Sequence, residues 1–176
     1  RSEKSLLLAP DDIETLILVG SILFSRNLLK EANDIYLKAL KLSPDNVNIL
    51  SNLGHLNTIT NSVDLAFKYL NRAIEIDPEH SFSKNILAGI HKTNNDYATA
   101  KELYLESKEP NWEENVLECL YLEENFYDFK EFLLKNSDKL IESRTASALI
   151  NHANYCLNEH YEHHFCNDQL SYIKTI

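Results

Sequence analysis

Methionine is missing from this 176-residue chain, and glycine, proline and cysteine are scarce, at 3, 4 and 3 residues. Each shortage closes off a class. So little glycine and proline disfavours β-rich and disordered chains and favours helices with few breaks. Gly20, Gly54 and Gly89 all sit in helix-like contexts. No glycine-rich phosphate cradle, dinucleotide fingerprint or nucleophile motif is therefore available, and no cofactor is expected. Cys119, Cys156 and Cys166 are odd in number and lack paired spacing. They read as ordinary intracellular thiols and not as a disulfide framework. Basic residues are also short: 17 Lys and Arg stand against 27 Asp and Glu, a formal net charge of −10. A nucleic-acid or anionic-membrane surface needs a basic patch, so both are excluded as expectations, while a basic peptide partner is allowed. The longest apolar stretch, Leu16 to Phe24, is about half the roughly 20 residues of a membrane-spanning helix, and reads as a buried helix. No charged-then-apolar leader is visible, and the expected location is cytoplasmic.

What the chain does have is a period. Ser5-Leu6-Leu7-Leu8-Ala9-Pro10-Asp11 returns as Ala39-Leu40-Lys41-Leu42-Ser43-Pro44-Asp45 and again as Ala73-Ile74-Glu75-Ile76-Asp77-Pro78-Glu79, so the prolines are evenly spaced. Their spacing is that of a stacked helix–turn–helix array, whose unit repeats every ~34 residues. Hydrophobic content of 44% is enough to bury a core. Within the first unit, Leu16, Val19, Gly20, Leu23, Ala32, Tyr36 and Ala39 form apolar stripes at helical spacing. Leu50, Leu53, Gly54, Ala66, Leu70 and Ala73 repeat them, and Leu87, Ala88, Ala100 and Tyr104 follow. The small residues let paired helices approach closely. Asp45, Asn46, Asn61, Ser62 and Asn94-Asn95-Asp96 suit helix starts, and proline at each unit's end forces the turn.

These residues set the expected organisation. Residues 1–12 end a preceding, truncated repeat. Regular repeats occupy 13–46, 47–80 and 81–111. Residues 112–176 form degenerate helix pairs and a C-terminal cap, with helices expected over Trp112–Glu123, Phe126–Lys135, Ser143–Asn158 and Glu159–Ile173. Opening at Arg1 inside a closing helix, with no methionine, the chain is expected to be a fragment of a longer protein.

Over residues 13 to 107 this pattern resembles the tetratricopeptide repeat (TPR) family. The resemblance implies an all-α fold, a right-handed α-solenoid of antiparallel helix pairs, with about three regular repeats before the degenerate pairs. Two departures stand out. The usual aromatic at the fourth position is Leu16, Leu50 and Lys84. Pro110 follows Pro78 too soon for the period, and Trp112 takes the expected place.

In the family the first helices line the inner face of the superhelix. Carried over position by position, that face offers Glu14, Ile17, Ser21, Phe24 and Ser25, then Asn48, Ser51, Asn52, His55, Thr58 and Ile59, then Phe82, Asn85, Gly89, Lys92 and Thr93. The expected peptide-binding set is Ile17, Ser21, Phe24, Asn48, Asn52, His55, Phe82, Asn85 and Lys92. Asparagine amides pair with both N–H and C=O of an extended peptide, and Ile17, Phe24 and Phe82 offer apolar contacts. Ser51-Asn52-Leu53-Gly54 is similar to the asparagine-bearing repeats of TPR-bearing glycosyltransferases, but Leu18 and Ile86 occupy the matching places, so no asparagine ladder forms. A clamp for a terminal carboxylate needs lysine and arginine where Phe82 and Ile86 stand.

Three weaker features complete the reading. Glu113, Glu114, Glu118, Glu123, Glu124, Asp128 and Glu131 form an acidic group, read either as a solvated helix face or as a dock for a basic partner. His152, Cys156 and His160, four residues apart, share one helical face and are the candidate metal ligands, although no CxxC pair or zinc-protease order accompanies them. Ala148-Leu149 with Tyr155 to Tyr161 is similar to the segment joining TPR arrays to methyltransferase domains in some bacterial proteins. The expected function is a non-catalytic module binding a protein or peptide partner in the inner groove. The alternatives are the substrate-recruiting arm of a larger enzyme of methyltransferase or glycosyltransferase type, and a self-associating scaffold built on the apolar helix Ile13 to Phe24.

Overall fold

Two kinds of turn, repeated in register, generate the architecture. The structure, a computed structural model, describes residues 12–140 and 143–157. Every regular element among them is a helix: α1 (Ile13–Ser25), α2 (Leu29–Leu42), α3 (Val47–Ile59), α4 (Val63–Ile76), α5 (Ser81–Thr93), α6 (Tyr97–Ser107), α7 (Trp112–Leu122), α8 (Phe126–Lys135), α9 (Ser137–Leu140) and α10 (Arg144–Leu157). The first helices α1, α3 and α5 begin one proline period apart, at Ile13, Val47 and Ser81. Their partners α2, α4 and α6 keep the same spacing, at Leu29, Val63 and Tyr97. The chain is thus an all-α solenoid of antiparallel helix pairs.

The turn inside each pair is closed by a left-handed residue. Asn27, Asn61 and Asn95 have φ of 61°, 58° and 63°, and Glu124 takes the same role at 56°. The following amide reaches back along the chain in the same way in every case: Leu28 N–H to Leu23 C=O, Ser62 to Asn57, Asp96 to His91 and Asn125 to Leu120, at 2.8–3.0 Å. This satisfies carbonyls that a helix end leaves bare. Asparagine recurs there because it tolerates the left-handed region better than other residues with a Cβ. Asn61 and Asn95, expected as helix starts, therefore serve as turn residues.

The turn between pairs is a proline turn. Asn46 N–H donates to Ser43 C=O at 3.3 Å and His80 N–H to Asp77 C=O at 3.1 Å. Pro44 and Pro78 hold the second position, which suits the φ that the proline ring fixes. The residue that ends this turn caps the next helix. Asn46 accepts from Ile49 N–H at 3.2 Å, and His80 Nδ1 accepts from Ser83 N–H at 3.3 Å. Asp12 does the same for Thr15 at 2.8 Å.

Two compact units divide the chain, Arg1–Ile90 and His91–Ile176, with the division inside α5. In the first, Leu16, Ala32, Tyr36, Ala39, Ile49, Leu53 and Leu56 form a closed core. The small residues work as the sequence implies: a side chain on Gly20 would meet the Tyr36 ring, and one on Gly54 would meet Leu70. Lys84, at the place of Leu16 and Leu50, is buried too. In the second unit, Trp112 at the start of α7 packs edge-on against Phe132, with ring centroids 6.1 Å apart. Lys139 lies over the Trp112 ring at 5.3 Å and pairs with Glu113. That anchor belongs to α9, a short helix that periodicity did not predict. The helix expected at Glu159–Ile173 and the opening residues 1–11 lie outside the described residues.

Candidate functional site

Consecutive first helices of the first unit present a row of rings. Phe24 on α1 and His55 on α3 have centroids 4.9 Å apart, and His55 meets Phe82 on α5 edge-on at 5.6 Å. His80, the α5 cap, stands 6.5 Å from Phe82, also edge-on. These separations and tilts match favourable aromatic geometry. His55 is half-buried between two hydrocarbon rings, and that burial holds its pKa below 6.5. Burial favours the neutral imidazole over the charged one.

The polar residues around the row divide into two sets. The hydroxyls are used internally. Ser21 Oγ donates to Ile17 C=O at 2.9 Å and is hydrogen-bonded to Tyr36 Oη at 3.1 Å. Ser51 Oγ donates to Asn48 C=O, and Thr58 Oγ1 to Gly54 C=O, both at 3.0 Å. The amides are not tied back in this way. Asn48 is exposed and Asn52 half-buried on α3. Asn85 lies one helical turn from Phe82, on the same side of α5. Its Oδ1 is buried and has no hydrogen-bond partner among the described residues. A buried acceptor left unmet costs about 1–3 kcal/mol. Ile17 packs partly buried against the core beneath.

Lys92 falls in the second unit. Its ammonium donates to Glu118 at 2.8 Å and to Asn115 Oδ1 at 3.2 Å, and lies 5.8 Å from the Tyr104 ring centre. Lys101 likewise pairs with Glu123 at 2.8 Å. Three carboxylates of the acidic group thus hold lysines of their own unit: Glu113, Glu118 and Glu123. Beneath them Cys119 is buried and its thiol is pushed up to about 11, chiefly by that burial. Of the candidate metal ligands, His152 is hydrogen-bonded through Nδ1 to the Tyr121 hydroxyl. The Cys156 side chain and all of His160 lie outside the described residues. No cluster of three metal-ligating side chains occurs among the described residues. No helix among them is long and apolar enough to cross a membrane.

Sequence reasoning named every ring of the row except His80. The missing signal was the register itself, since His80 stands at the same offset as Asp12 and Asn46.

Comparison with known proteins agrees with this architecture. Sequence models of the TPR repeat match residues 20–57, and of the tetratricopeptide repeat residues 47–80. A relative, the BBSome complex member BBS4 of Bos taurus, is 29% identical over 90 residues, which is 51% of this chain and 17% of that protein. The chain therefore spans a small part of that relative's length. Among solved structures, PilF of Pseudomonas aeruginosa superposes with a TM-score of 0.72 at 16% identity, over 83% of this chain and 69% of its own. A tetratricopeptide repeat protein from Parabacteroides merdae gives 0.71 at 15% identity, over 90% and 65%. YrrB, described as a TPR protein with an unusual peptide-binding site, gives 0.67 at 16% identity, over 86% and 82%. At these identities the structural likeness speaks for the fold. With these two overlapping matches and the helix-pair geometry around them, residues 20–80 of this chain are tetratricopeptide repeats.

Proposed function

We propose that this chain is a non-catalytic protein-interaction module that takes an extended peptide across the first helices of its first unit. Apolar side chains of the peptide lie against Phe24, His55 and Phe82, with Ile17 at the margin. The amides of Asn48 and Asn52 offer donors and acceptors to the peptide backbone, and Asn85 Oδ1, buried in the free chain, receives a backbone N–H once the entering peptide uncovers it. Pairing through the main chain gives affinity with little demand on sequence, while the rings select apolar residues. The observation that carries this reading is the unmet Asn85 Oδ1 beside a ready-made row of rings. A folded chain keeps such an acceptor at a cost, and a bound donor removes the cost. The peptide-binding site of YrrB, a protein of the same fold, supports the reading.

A random peptide library panned on this chain tests it. Selected peptides are expected to shift the backbone amide resonances of residues around Phe24, Asn52, His55 and Asn85. Asn85→Leu separates the two sides of the argument. It relieves the unmet acceptor, so the free protein melts at a higher temperature, and it weakens the selected peptides by about fivefold, the worth of a hydrogen bond of about 1 kcal/mol. Peptides that bind the variant as tightly as the parent, or that shift residues away from this row, refute the reading.

A further inference from the structure

The second unit holds a pocket that the groove reading does not use. Its volume is about 380 Å³, and it is lined by Tyr121, Leu122, Glu124, Phe126 and His152. That size lies near the lower end of small-ligand pockets, which begin at roughly 300 Å³. Three of the five lining residues carry rings, and Tyr121 is the centre of the set. Its ring meets Phe126 at 6.2 Å and 70°, and His152 at 5.6 Å and 72°. Rings set this steeply to one another form walls around a space instead of a closed stack. The hydrogen bond between the Tyr121 hydroxyl and His152 Nδ1 fixes the angle between two of those walls.

The fourth wall is charged. Glu124 sits at the left-handed turn between α7 and α8, with φ of 56°, and its amide is bonded to Tyr121 C=O at 3.0 Å. The turn thus pins the Glu124 backbone next to the central ring. Of the acidic group, Glu113, Glu118 and Glu123 are matched by Lys139, Lys92 and Lys101. No lysine or arginine among the described residues pairs with Glu124. A negative charge with no lysine or arginine partner among the described residues therefore lines a ring-walled pocket, on a chain of net charge −10. Ring faces carry negative potential and attract alkylammonium groups, and a carboxylate nearby adds to that attraction. An anion would be repelled by Glu124, and a neutral apolar group would leave the carboxylate unmatched.

We propose that this pocket takes the alkylammonium head of a lysine side chain, free or methylated, on a basic segment of a partner protein. The lysine stem lies along Leu122, which is 40% exposed, the ammonium faces Tyr121 and Phe126, and Glu124 is its counter-ion. This site lies in the other unit from the peptide row, and it stands or falls independently of that reading.

Three blocked tripeptides, Gly-X-Gly with X as lysine, trimethyl-lysine or norleucine, decide it by amide-shift titration of the whole chain. Norleucine keeps a hydrocarbon side chain and lacks the charge. Saturable shifts at Tyr121, Leu122 and Glu124 are expected with the cationic peptides, trimethyl-lysine binding at least as well as lysine, and none with norleucine. Glu124→Gln is expected to weaken binding about fivefold, the upper end for an exposed charge pair. Tyr121→Leu weakens it by a similar factor through loss of the ring face. The Glu124→Gln spectrum away from the pocket stays as in the parent, which separates loss of binding from loss of fold. Norleucine binding as tightly as lysine, or no shift at these residues with either cation, overturns the proposal.

Discussion

The ring of Tyr36 occupies the space that a side chain on Gly20 would need. A Cβ built on Gly20 would lie 2.8 Å from Cδ1 and Cζ of that ring. Tyr36 cannot swing aside: it is 1% exposed and its hydroxyl is tied to Ser21. Gly20→Ala gains up to about 1 kcal/mol in helix propensity, but overpacking costs about 1–3 kcal/mol. The collision wins, and a net loss of stability is expected by urea unfolding. Adding Tyr36→Leu to Gly20→Ala should recover part of that loss relative to Tyr36→Leu alone. Additive losses would show that the two residues are not coupled.

The left-handed turns make a second prediction. Asn61 has φ of 58°. Asn61→Ala is expected to cost about 1 kcal/mol, because a left-handed residue with a plain Cβ is strained. Asn61→Gly should cost less than Asn61→Ala, since glycine adopts that conformation freely. Thermal melts of the three proteins give the order, and Ala matching Gly would remove the strain argument.

Acid should weaken the first unit through His55. Burial lowers its pKa from 6.5 in the folded chain. Between that lowered value and 6.5 the unfolded chain carries more protons, so stability rises with pH across this window. The contribution is complete above 6.5, is lost as pH falls through the window, and levels off below it. Urea midpoints at about pH 8 and about pH 5.5 bracket the ordinary histidine value. His55→Phe is expected to make the drop smaller, and an identical drop in both proteins would assign it to other groups.

Cys119 should report on unfolding. Its thiol is buried and its pKa is raised to about 11, so the reactive thiolate is scarce at neutral pH. Iodoacetamide is expected to leave Cys119 unmodified in the folded chain and to label it once urea passes the unfolding transition. Peptide mass spectrometry reads this directly, and fast labelling without urea would mean that α7 opens locally.

Much of the fold was legible because a fixed period repeats the same small and apolar residues at the same offsets. Spacing marked Gly20 and Gly54 as places where paired helices approach closely, and the structure sets Tyr36 and Leu70 against them. Ser43-Pro44-Asp45-Asn46 announced its own turn. The helix α9 was not legible, because so short a segment carries too little periodicity to stand out. Its partner contacts, Lys139 with Glu113 and Trp112, are long-range in the chain.

The candidate sites were legible in part. Position within the repeat named Phe24, His55 and Phe82, but no local signal says that their rings touch. Nor could spacing separate Ser21, whose hydroxyl turns inward to Tyr36, from Asn85, whose Oδ1 is left unmet. The acidic group looked uniform in sequence. Packing sorted it, giving Glu113, Glu118 and Glu123 their lysines and setting Glu124 beside Tyr121.

The sequence by itself determined the long helices, the proline turns between pairs and the pairing of the regular repeats. Those depend on backbone conformation and on apolar spacing within a few dozen residues. Tertiary structure alone decided which polar groups found partners and which rings came together. Those outcomes depend on side chains from different helices competing for the same few ångströms.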